Sequence, residues 1–151
     1  MEINIPKPLK AEHEELHAEL VAATNAGGKV GEAAKSVAQV LHPHFVKEEE
    51  YAMPPLGLLT MLAEGKLPSN IPAVIAMTDK LKSDLSLMLH EHKAVIAALH
   101  KLMVAAENVR RPEIIHFAEK LKLHAQTEEE VLYPAAILIG EYLKMKIGQG
   151  K

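Results

Sequence analysis

Apolar residues recur at steps of three and four along most of the chain, and no stretch shows the strict alternation of a half-buried strand. Proline and glycine divide this pattern into separate segments. The pattern predicts an all-α fold with four main helices and a short extra helix after the second and after the fourth. The predicted main helices cover about residues 9–25, 31–53, 73–108 and 112–134, and the short apolar segments follow Pro54 and Pro134.

The second half of the sequence repeats the first. Residues 44–54, HFVKEEEYAMP, align without a gap on residues 124–134, HAQTEEEVLYP. Each half also carries a Glu-His pair on its preceding helix, at Glu12-His13 and at Glu91-His92. The repeat unit is therefore a helical hairpin.

Two such hairpins are expected to pair, because a single hairpin cannot bury its own apolar face. The hairpins run over about residues 9–64 and 73–146. Their pairing predicts an up-down-up-down four-helix bundle that forms one domain over residues 1–151.

Composition narrows the classes of function. The chain has no cysteine, which excludes disulfides, thiolate catalysis and iron–sulfur clusters. Its net charge is −3 and it has no basic stripe, so we expect no nucleic-acid partner. The first residues lack the apolar core of a signal peptide, and no apolar run approaches the roughly 20 residues that span a bilayer. A cytoplasmic protein without membrane contact is the expectation.

Polar residues interrupt the apolar seam of all four predicted helices at matching heights. Four histidines and two glutamates stand where core residues are expected. The four seams read Leu9, His13, Leu16, Leu20; then Val37, Leu41, His44, Glu48, Tyr51; then Leu85, Met88, His92, Ile96, Leu99; and finally Ile114, Phe117, Leu121, His124, Glu128, Leu132.

A buried carboxylate costs several kcal/mol unless it is paired or bound to a cation, and these seams contain no lysine or arginine. Any one of the histidines alone would be a satisfied core residue. That reading does not explain two H-x-x-x-E motifs in register with two Glu-His pairs. Imidazole and carboxylate without thiolate suit iron, manganese or zinc. Two glutamates placed to bridge and two sets of histidines favour two metal ions over one.

Residues 13–17, HEELH, also match the H-E-x-x-H pattern of zinc metalloproteases. Such an enzyme needs a third zinc ligand downstream and usually a sheet edge that holds extended substrate. The sequence shows neither, so we do not interpret HEELH as a protease motif.

With these motifs the chain resembles the hemerythrin family, specifically the bacterial hemerythrin-like (HHE cation-binding) domains. The similarity runs from about Leu9 to Pro134 and rests on the order E-H, H-x-x-x-E, E-H, H-x-x-x-E. The resemblance implies a non-heme di-iron centre inside the bundle. Two iron ions, joined by an oxo or hydroxo bridge, would be held by five histidines and two bridging carboxylates.

The resemblance assigns ligand roles residue by residue. The second bridging carboxylate is assigned to Glu128, four residues after its histidine, although oxygen carriers of the family have an aspartate one residue later, where this chain has Glu129. The other residues on the family's motif positions are His13, His44, Glu48, His92 and His124.

The fifth histidine departs from the family's pattern. Oxygen carriers have E-H-x-x-x-H on the third helix, where this chain has isoleucine in the last position. His17, four residues after His13, occupies the pseudo-symmetric position on the first helix. We therefore assign the fifth ligand to His17 and expect His13, His17 and His44 to share one iron. The iron held by His92 and His124 would then be the one that meets the small ligand.

Dioxygen binding for storage, delivery or scavenging is the leading function that the resemblance implies. The alternative is an iron-handling or sensing protein, or a stress protein acting on peroxide or nitric oxide at the same site. Whether the chain is an enzyme stays open, with the balance against it. The implied partner is dioxygen or a similar small diatomic or anionic ligand. The segments after Pro54 and Pro134 offer a surface for a homodimer or a protein partner, unless they pack over the end of the bundle.

Overall fold

The structure, a computed structural model, describes residues 3–149, which are helical over most of their length and include no β-strand. The all-α prediction is confirmed. Two segments, Glu48–Ala52 and Glu128–Leu132, are π-helical, and Pro54–Leu58 is a 3₁₀ turn. The α-helices are α1 (Lys7–Thr24), α2 (Gly28–Lys47), α3 (Leu59–Ala63), α4 (Ile71–Asn108), α5 (Pro112–Thr127) and α6 (Tyr133–Gln149).

Proline and glycine set several helix boundaries. α1, α4 and α5 each have a proline in the first two positions, where the missing N–H is not needed and the fixed φ already suits a helix. Gly27, between α1 and α2, has a φ of 75°, a conformation that residues with a Cβ rarely adopt. The observed helices therefore begin and end within three residues of the predicted boundaries, except where the π-helical segments follow α2 and α5.

The two π-helical segments lie at equivalent places in the two repeats. The N–H of Met53 donates to the carbonyl of Glu48 over 2.8 Å, and the N–H of Tyr133 donates to the carbonyl of Glu128. A proline follows each of these donors. Proline has no N–H for the carbonyl four residues earlier and its ring crowds that carbonyl, which a wider turn relieves.

The second π-helical segment joins α5 to α6 without a break in the helix. The sequence analysis expected a short separate helix after Pro134. The structure has a 17-residue helix there instead, which packs along α4. The first repeat differs, because its chain leaves the helix at Met53 and passes through the 3₁₀ turn into α3.

Two apolar clusters form the core. One is built from Leu16, Leu20, Val37, Leu41, Val95, Leu99, Phe117, Leu121 and their neighbours. The other contains Tyr51, Leu56, Leu81, Met88, Tyr133, Ile139, Leu143 and others. The chain passes from one cluster to the other along α2, α4 and the α5–α6 helix, and the predicted metal ligands lie at each crossing.

Ion pairs on the surface show which helices are neighbours and, for α4 and α6, that the two helices are antiparallel. Lys120 of α5 contacts Glu15 and Glu19 of α1. Lys82 and Asp79 of α4 contact Glu141 and Lys144 of α6, respectively, so the residue order is opposite on the two helices. Exposed pairs of this kind contribute about 1 kcal/mol at most, so the apolar clusters dominate the stability of the fold.

The segment after Pro54 packs within the chain, with Leu56 and Leu58 buried against the second apolar cluster. Leu59, Leu138 and Tyr142 line a groove between α3 and α6 and keep a third or more of their surface exposed. A homodimer or partner contact at this groove stays a prediction. Among the helices of residues 3–149, none combines the length and hydrophobicity needed to cross a membrane.

The contact between α4 and α6 gives a test of this packing. A Cβ on Gly140 would lie 1.9 Å from Oγ1 of Thr78, which is buried on α4. We expect Gly140→Ala to lower the free energy of unfolding by about 1–3 kcal/mol, because the two helices must move apart. Gly148→Ala is the matched control, since a Cβ there has no neighbour within 4 Å and alanine favours helix by about 0.5–1 kcal/mol. Equal denaturation midpoints for the two variants would contradict the close α4–α6 contact.

Candidate metal centre

Six of the seven predicted ligands meet in one buried layer. Each helix of the bundle contributes a side chain to this layer at the point where its apolar residues pass from one cluster to the other. His13 comes from α1 and His92 from α4. His44 and Glu48 lie at the junction of α2 with its π-helical segment, and His124 and Glu128 lie at the matching junction after α5. All six side chains are buried.

These six side chains form two groups, and the ligand atoms within each group lie within 4.8 Å of one another. The first group is His13, His124, Glu48 and Glu128, and the second is His44, His92, Glu48 and Glu128. Both glutamates therefore belong to both groups.

The two oxygens of each glutamate point to different groups. Oε1 of Glu48 lies 3.6 Å from Nε2 of His13, whereas Oε2 lies 3.3 Å from Nε2 of His44. Oε2 of Glu128 lies 3.1 Å from Nε2 of His124, whereas Oε1 lies 3.0 Å from Nε2 of His92. Each carboxylate is therefore divided between the two groups.

The first group leaves its inward atoms without hydrogen bonds. Nε2 of His13, Nε2 of His124, Oε1 of Glu48 and Oε2 of Glu128 are buried and have no hydrogen-bond partner among the described residues. Buried polar atoms are nearly always satisfied, and an unsatisfied one costs about 1–3 kcal/mol. Four such atoms converging on one point fit a cation, which would satisfy all of them together.

Carboxylates outside the layer face the other nitrogen of each histidine. Glu91 pairs with Nδ1 of His44 over 2.9 Å, and Glu12 pairs with Nδ1 of His124. Each Glu-His motif thus supplies one histidine of the layer and one outer carboxylate for a histidine on a different helix. A histidine that donates from Nδ1 to a carboxylate keeps its Nε2 lone pair for a metal and is held in one orientation.

The remaining two histidines have outer carboxylates from the same acidic runs that supply the bridging glutamates. Nδ1 of His13 lies 3.6 Å from Glu49, and Nδ1 of His92 lies 3.4 Å from Glu129. Glu129 is 40% exposed, whereas Glu128 is 1% exposed and lies in both groups. Of the two candidates for the second bridge, the structure brings Glu128 to the bridging position.

Burial and mutual repulsion perturb the acid–base properties of the layer. Burial, together with the negative charge of Glu128, raises the pKa of Glu48 to about 8. Burial alone would raise the pKa of Glu128 as well, but hydrogen bonds with Glu48 and the histidines lower it well below its usual range. Two adjacent buried carboxylates cannot both ionise without a compensating cation, so the pair retains a proton.

The pKa values of two histidines beside these carboxylates are raised, although burial by itself would lower them. Burial lowers the pKa of His44, but the hydrogen bonds and charges of Glu48 and Glu91 outweigh that effect and raise the pKa to about 9. The pKa of His124 is likewise raised to about 9, because Glu128 and Glu12 outweigh its burial. Without a cation, therefore, protons compensate the buried negative charge.

Tyr133 is a residue of the layer that the sequence analysis missed. Its hydroxyl group donates to Oε2 of Glu48 over 2.5 Å and lies 3.1 Å from Nε2 of His44 and 3.2 Å from Nε2 of His92. The seam, extended in steps of three and four, placed Leu132 inward instead. The π-helical segment adds a residue to that turn and brings Tyr133 inward. The proline after Tyr133 was the only signal of the wider turn in the sequence.

His17 is not brought to the layer. Relative to His13, the buried residues Leu16 and Leu20 lie at about −60° and −20° round α1, while His17 lies at about +40°. It is exposed and belongs to neither group. The five histidines outside the layer, which are His17, His42, His90, His100 and His116, are all exposed.

The predicted sharing of the histidines also differs from the structure. We expected His13, His17 and His44 on one metal, and His92 and His124 on the other. The structure instead pairs His13 with His124, and His44 with His92. The two groups differ from the predicted sharing because each brings together one histidine from the first hairpin and one from the second.

The layer has the chemistry of a metal-binding site with nitrogen and oxygen donors. Each group offers two imidazole nitrogens and two carboxylate oxygens, a donor set that suits iron, manganese or zinc. The convergent unsatisfied atoms of the first group and the divided oxygens of both glutamates fit bound metal ions.

The comparisons with known proteins agree with this description. The family model of the hemerythrin HHE cation-binding domain matches residues 4–136, which include all six residues of the layer. The comparison with curated proteins and the comparison with solved structures each gave no significant match. On the strength of the family match over most of its length, the chain belongs to the hemerythrin HHE cation-binding domain family.

Proposed function

We propose that the layer holds two iron ions and binds dioxygen, for storage, delivery or scavenging. The division of both carboxylates between the two groups is the observation that carries this proposal. One oxygen of Glu48 and one of Glu128 face each pair of histidines. A single ion would use one group and leave half of the inward-facing atoms uncompensated.

The family of the chain, rather than the donor set alone, favours iron over zinc or manganese. Imidazole and carboxylate donors bind all three metals, so the choice among them depends on what the family is known to use. When bound, an iron pair with an open coordination position supplies reversible chemistry with dioxygen. The residues of the layer fix the ions, orient the ligands and keep the site away from bulk water.

The protein offers a small ligand a way to the first group. A groove of about 250 Å³ between α1 and α2 is lined by His13, Phe45, Val46 and the exposed residues around them. The ring of Phe45 stacks on His13 at 3.9 Å between centroids and contacts His124 edge-on. The groove combines the apolar side chains of Phe45 and Val46 with polar ones from Glu14, His17, His42 and Glu49, so a small ligand has a partly polar approach to His13.

The first group offers a metal ion four donors from the protein, namely two imidazole nitrogens and two carboxylate oxygens. An iron ion with about six ligands would then keep positions for exogenous ligands on this side. This supports a function in which a small molecule binds directly at the centre. We propose that the small ligand binds near His13 and His124, rather than at the iron of His92 and His124 that the sequence favoured.

Optical spectra of the iron-loaded protein test dioxygen binding. The anaerobic ferrous protein should change its visible spectrum when dioxygen is added, and the original spectrum should return when dioxygen is removed under argon. Rapid oxidation that argon does not reverse would overturn the dioxygen-carrier proposal and favour the alternative role in peroxide, nitric oxide or iron handling. The same cycle on protein loaded with zinc is the control.

Replacement of the bridging carboxylates tests the number of metal ions. The wild-type protein should contain about two iron ions per chain, and Glu48→Gln with Glu128→Gln should contain fewer than 0.2, roughly a tenfold loss or more, because both ions lose their bridges. The double change Glu50→Gln with Glu130→Gln is the matched control, since these glutamates are exposed neighbours in the same two runs. One metal ion per wild-type chain, measured by elemental analysis, would contradict the binuclear site.

The pH dependence of stability should differ between the metal-free and metal-loaded protein. The folded protein holds protons on His44 and His124 up to about pH 9, whereas the unfolded chain releases them near 6.5. The raised pKa of Glu48 acts in the same direction. The folded state therefore binds more protons than the unfolded state in this window, so the metal-free protein should lose stability progressively as the pH rises from 6.5 to 9.

The metal-loaded protein should show the opposite trend over the same range, because metal ions replace these protons and bind more tightly as pH rises. Urea denaturation of both forms at a series of pH values measures the two slopes. His90→Ala, which changes an exposed histidine, should leave both slopes unaltered. A metal-free stability that stays constant or rises with pH would contradict the electrostatic description of the layer.

A further inference from the structure

The hydroxyl oxygen of Tyr133 occupies a place among the ligand atoms of the second group. It lies 2.5 Å from Oε2 of Glu48, 3.1 Å from Nε2 of His44, 3.2 Å from Nε2 of His92 and 3.5 Å from Oε1 of Glu128. All four of these atoms are the ones that the second group presents to a metal. The tyrosine is itself buried, with 1% of its surface exposed.

The spacing of three of these atoms, from Tyr133, His44 and His92, matches one face of an octahedron around one ion. Ligands held about 2.1 Å from a metal in octahedral geometry lie about 3.0 Å from their nearest neighbours. Nε2 of His44 and Nε2 of His92 are 2.9 Å apart, and each is 3.1–3.2 Å from the Tyr133 oxygen. Three donors at mutual distances near 3 Å form one triangular face of such an octahedron.

In the metal-free protein the raised pKa values of His44 and Glu48 supply protons to this arrangement, and those protons leave when a metal ion binds. The phenol has one hydrogen, and Nδ1 of His44 faces the carboxylate of Glu91, which leaves its Nε2 as an acceptor when the ring is neutral. One hydrogen would then serve two imidazole nitrogens and two carboxylate oxygens. A cation between these atoms would satisfy all of them.

The first group has no equivalent of Tyr133. In the aligned repeats, Tyr133 of HAQTEEEVLYP corresponds to Met53 of HFVKEEEYAMP. The aromatic ring nearest to the first group is Phe45, which stacks on His13 and has no donor atom. Two otherwise similar metal positions therefore differ by one oxygen donor.

We propose that Tyr133 is a ligand of the iron ion held by His44 and His92. The proposal rests on the di-iron function proposed above and deepens it. The phenol O–H bond breaks as the oxygen–iron bond forms, and the proton leaves to the buffer, so that a phenolate coordinates the ion. Tyr133 then takes the part that the sequence analysis assigned to His17 as the fifth terminal ligand.

The assignment makes the two ions unequal. The ion in the second group has five donors from the protein, and the ion in the first group has four. The first group, at the groove that reaches His13, is consequently the one with more room for an external ligand.

A phenolate bound to ferric iron gives a charge-transfer band in the visible region, and its resonance Raman spectrum contains ring modes of the tyrosinate. We expect both signals from the ferric wild-type protein with two iron ions per chain. Tyr133→Phe should lose both signals and bind its second iron at least tenfold more weakly. Tyr133→His, which supplies an imidazole at the same position, should lose the signals but retain two iron ions.

Tyr51→Phe is the matched control. Tyr51 is also buried and lies three residues after Glu48, but its hydroxyl donates to Asp84 over 2.9 Å, away from the two groups. This variant should keep the band, the Raman modes and both iron ions. His17→Ala should keep them as well, because His17 lies outside both groups.

The outcomes separate this inference from the proposed function. A wild-type protein that holds two iron ions but shows no tyrosinate signal, or a Tyr133→Phe protein that keeps the signal, would overturn the ligand role of Tyr133 and leave the di-iron function standing. A wild-type protein that takes up no iron would overturn both. Loss of the signal in Tyr51→Phe would assign the phenolate to Tyr51 and overturn the ligand role of Tyr133.

Discussion

The fold depends on how it compensates two carboxylates that lie side by side in the middle of its core. Glu48 and Glu128 are almost completely buried, and the basic residues of the described chain lie outside the layer that contains them. Isolated buried carboxylates would cost several kcal/mol each, so protons on the neighbouring histidines or bound cations must compensate them. The four helices each contribute a side chain to the layer around these carboxylates. This polar layer separates the apolar core into two clusters.

Much of this arrangement could be predicted from the sequence. An apolar seam with a period of three to four residues is visible without a structure, and a polar residue on it stands out because burial makes it costly. The ligands were predicted at matching heights because the interval from His13 to His44 and the interval from His92 to His124 differ by only one residue. Hence the all-α fold, the helix boundaries and the set of His13, His44, Glu48, His92, His124 and Glu128 followed from pattern alone.

The remaining features depend on geometry that spacing does not encode. Which histidines share an ion is decided by how the helices face one another, and the sequence order of His13 and His17 suggested a neighbour relation that rotation about α1 removes. Tyr133 was missed because the rule of three and four assumes an unbroken α-helix, whereas the turn after Glu128 is wider by a residue. Proline explains why the turn widens, but the direction of the next side chain follows only from the three-dimensional path.

The pairing of histidines across the two repeats has a consequence for how such a protein can arise. Each ion position takes one histidine from the first hairpin and one from the second, so neither hairpin alone contains a complete position. A half-length chain could build the centre only as a symmetric pair of identical copies, and its two ions would then be equivalent by symmetry. Fusion into one chain removes that restriction. It allows Met53 and Tyr133, or Phe45 and Ala125, to differ at matching places, so that the two groups of side chains need not remain equivalent.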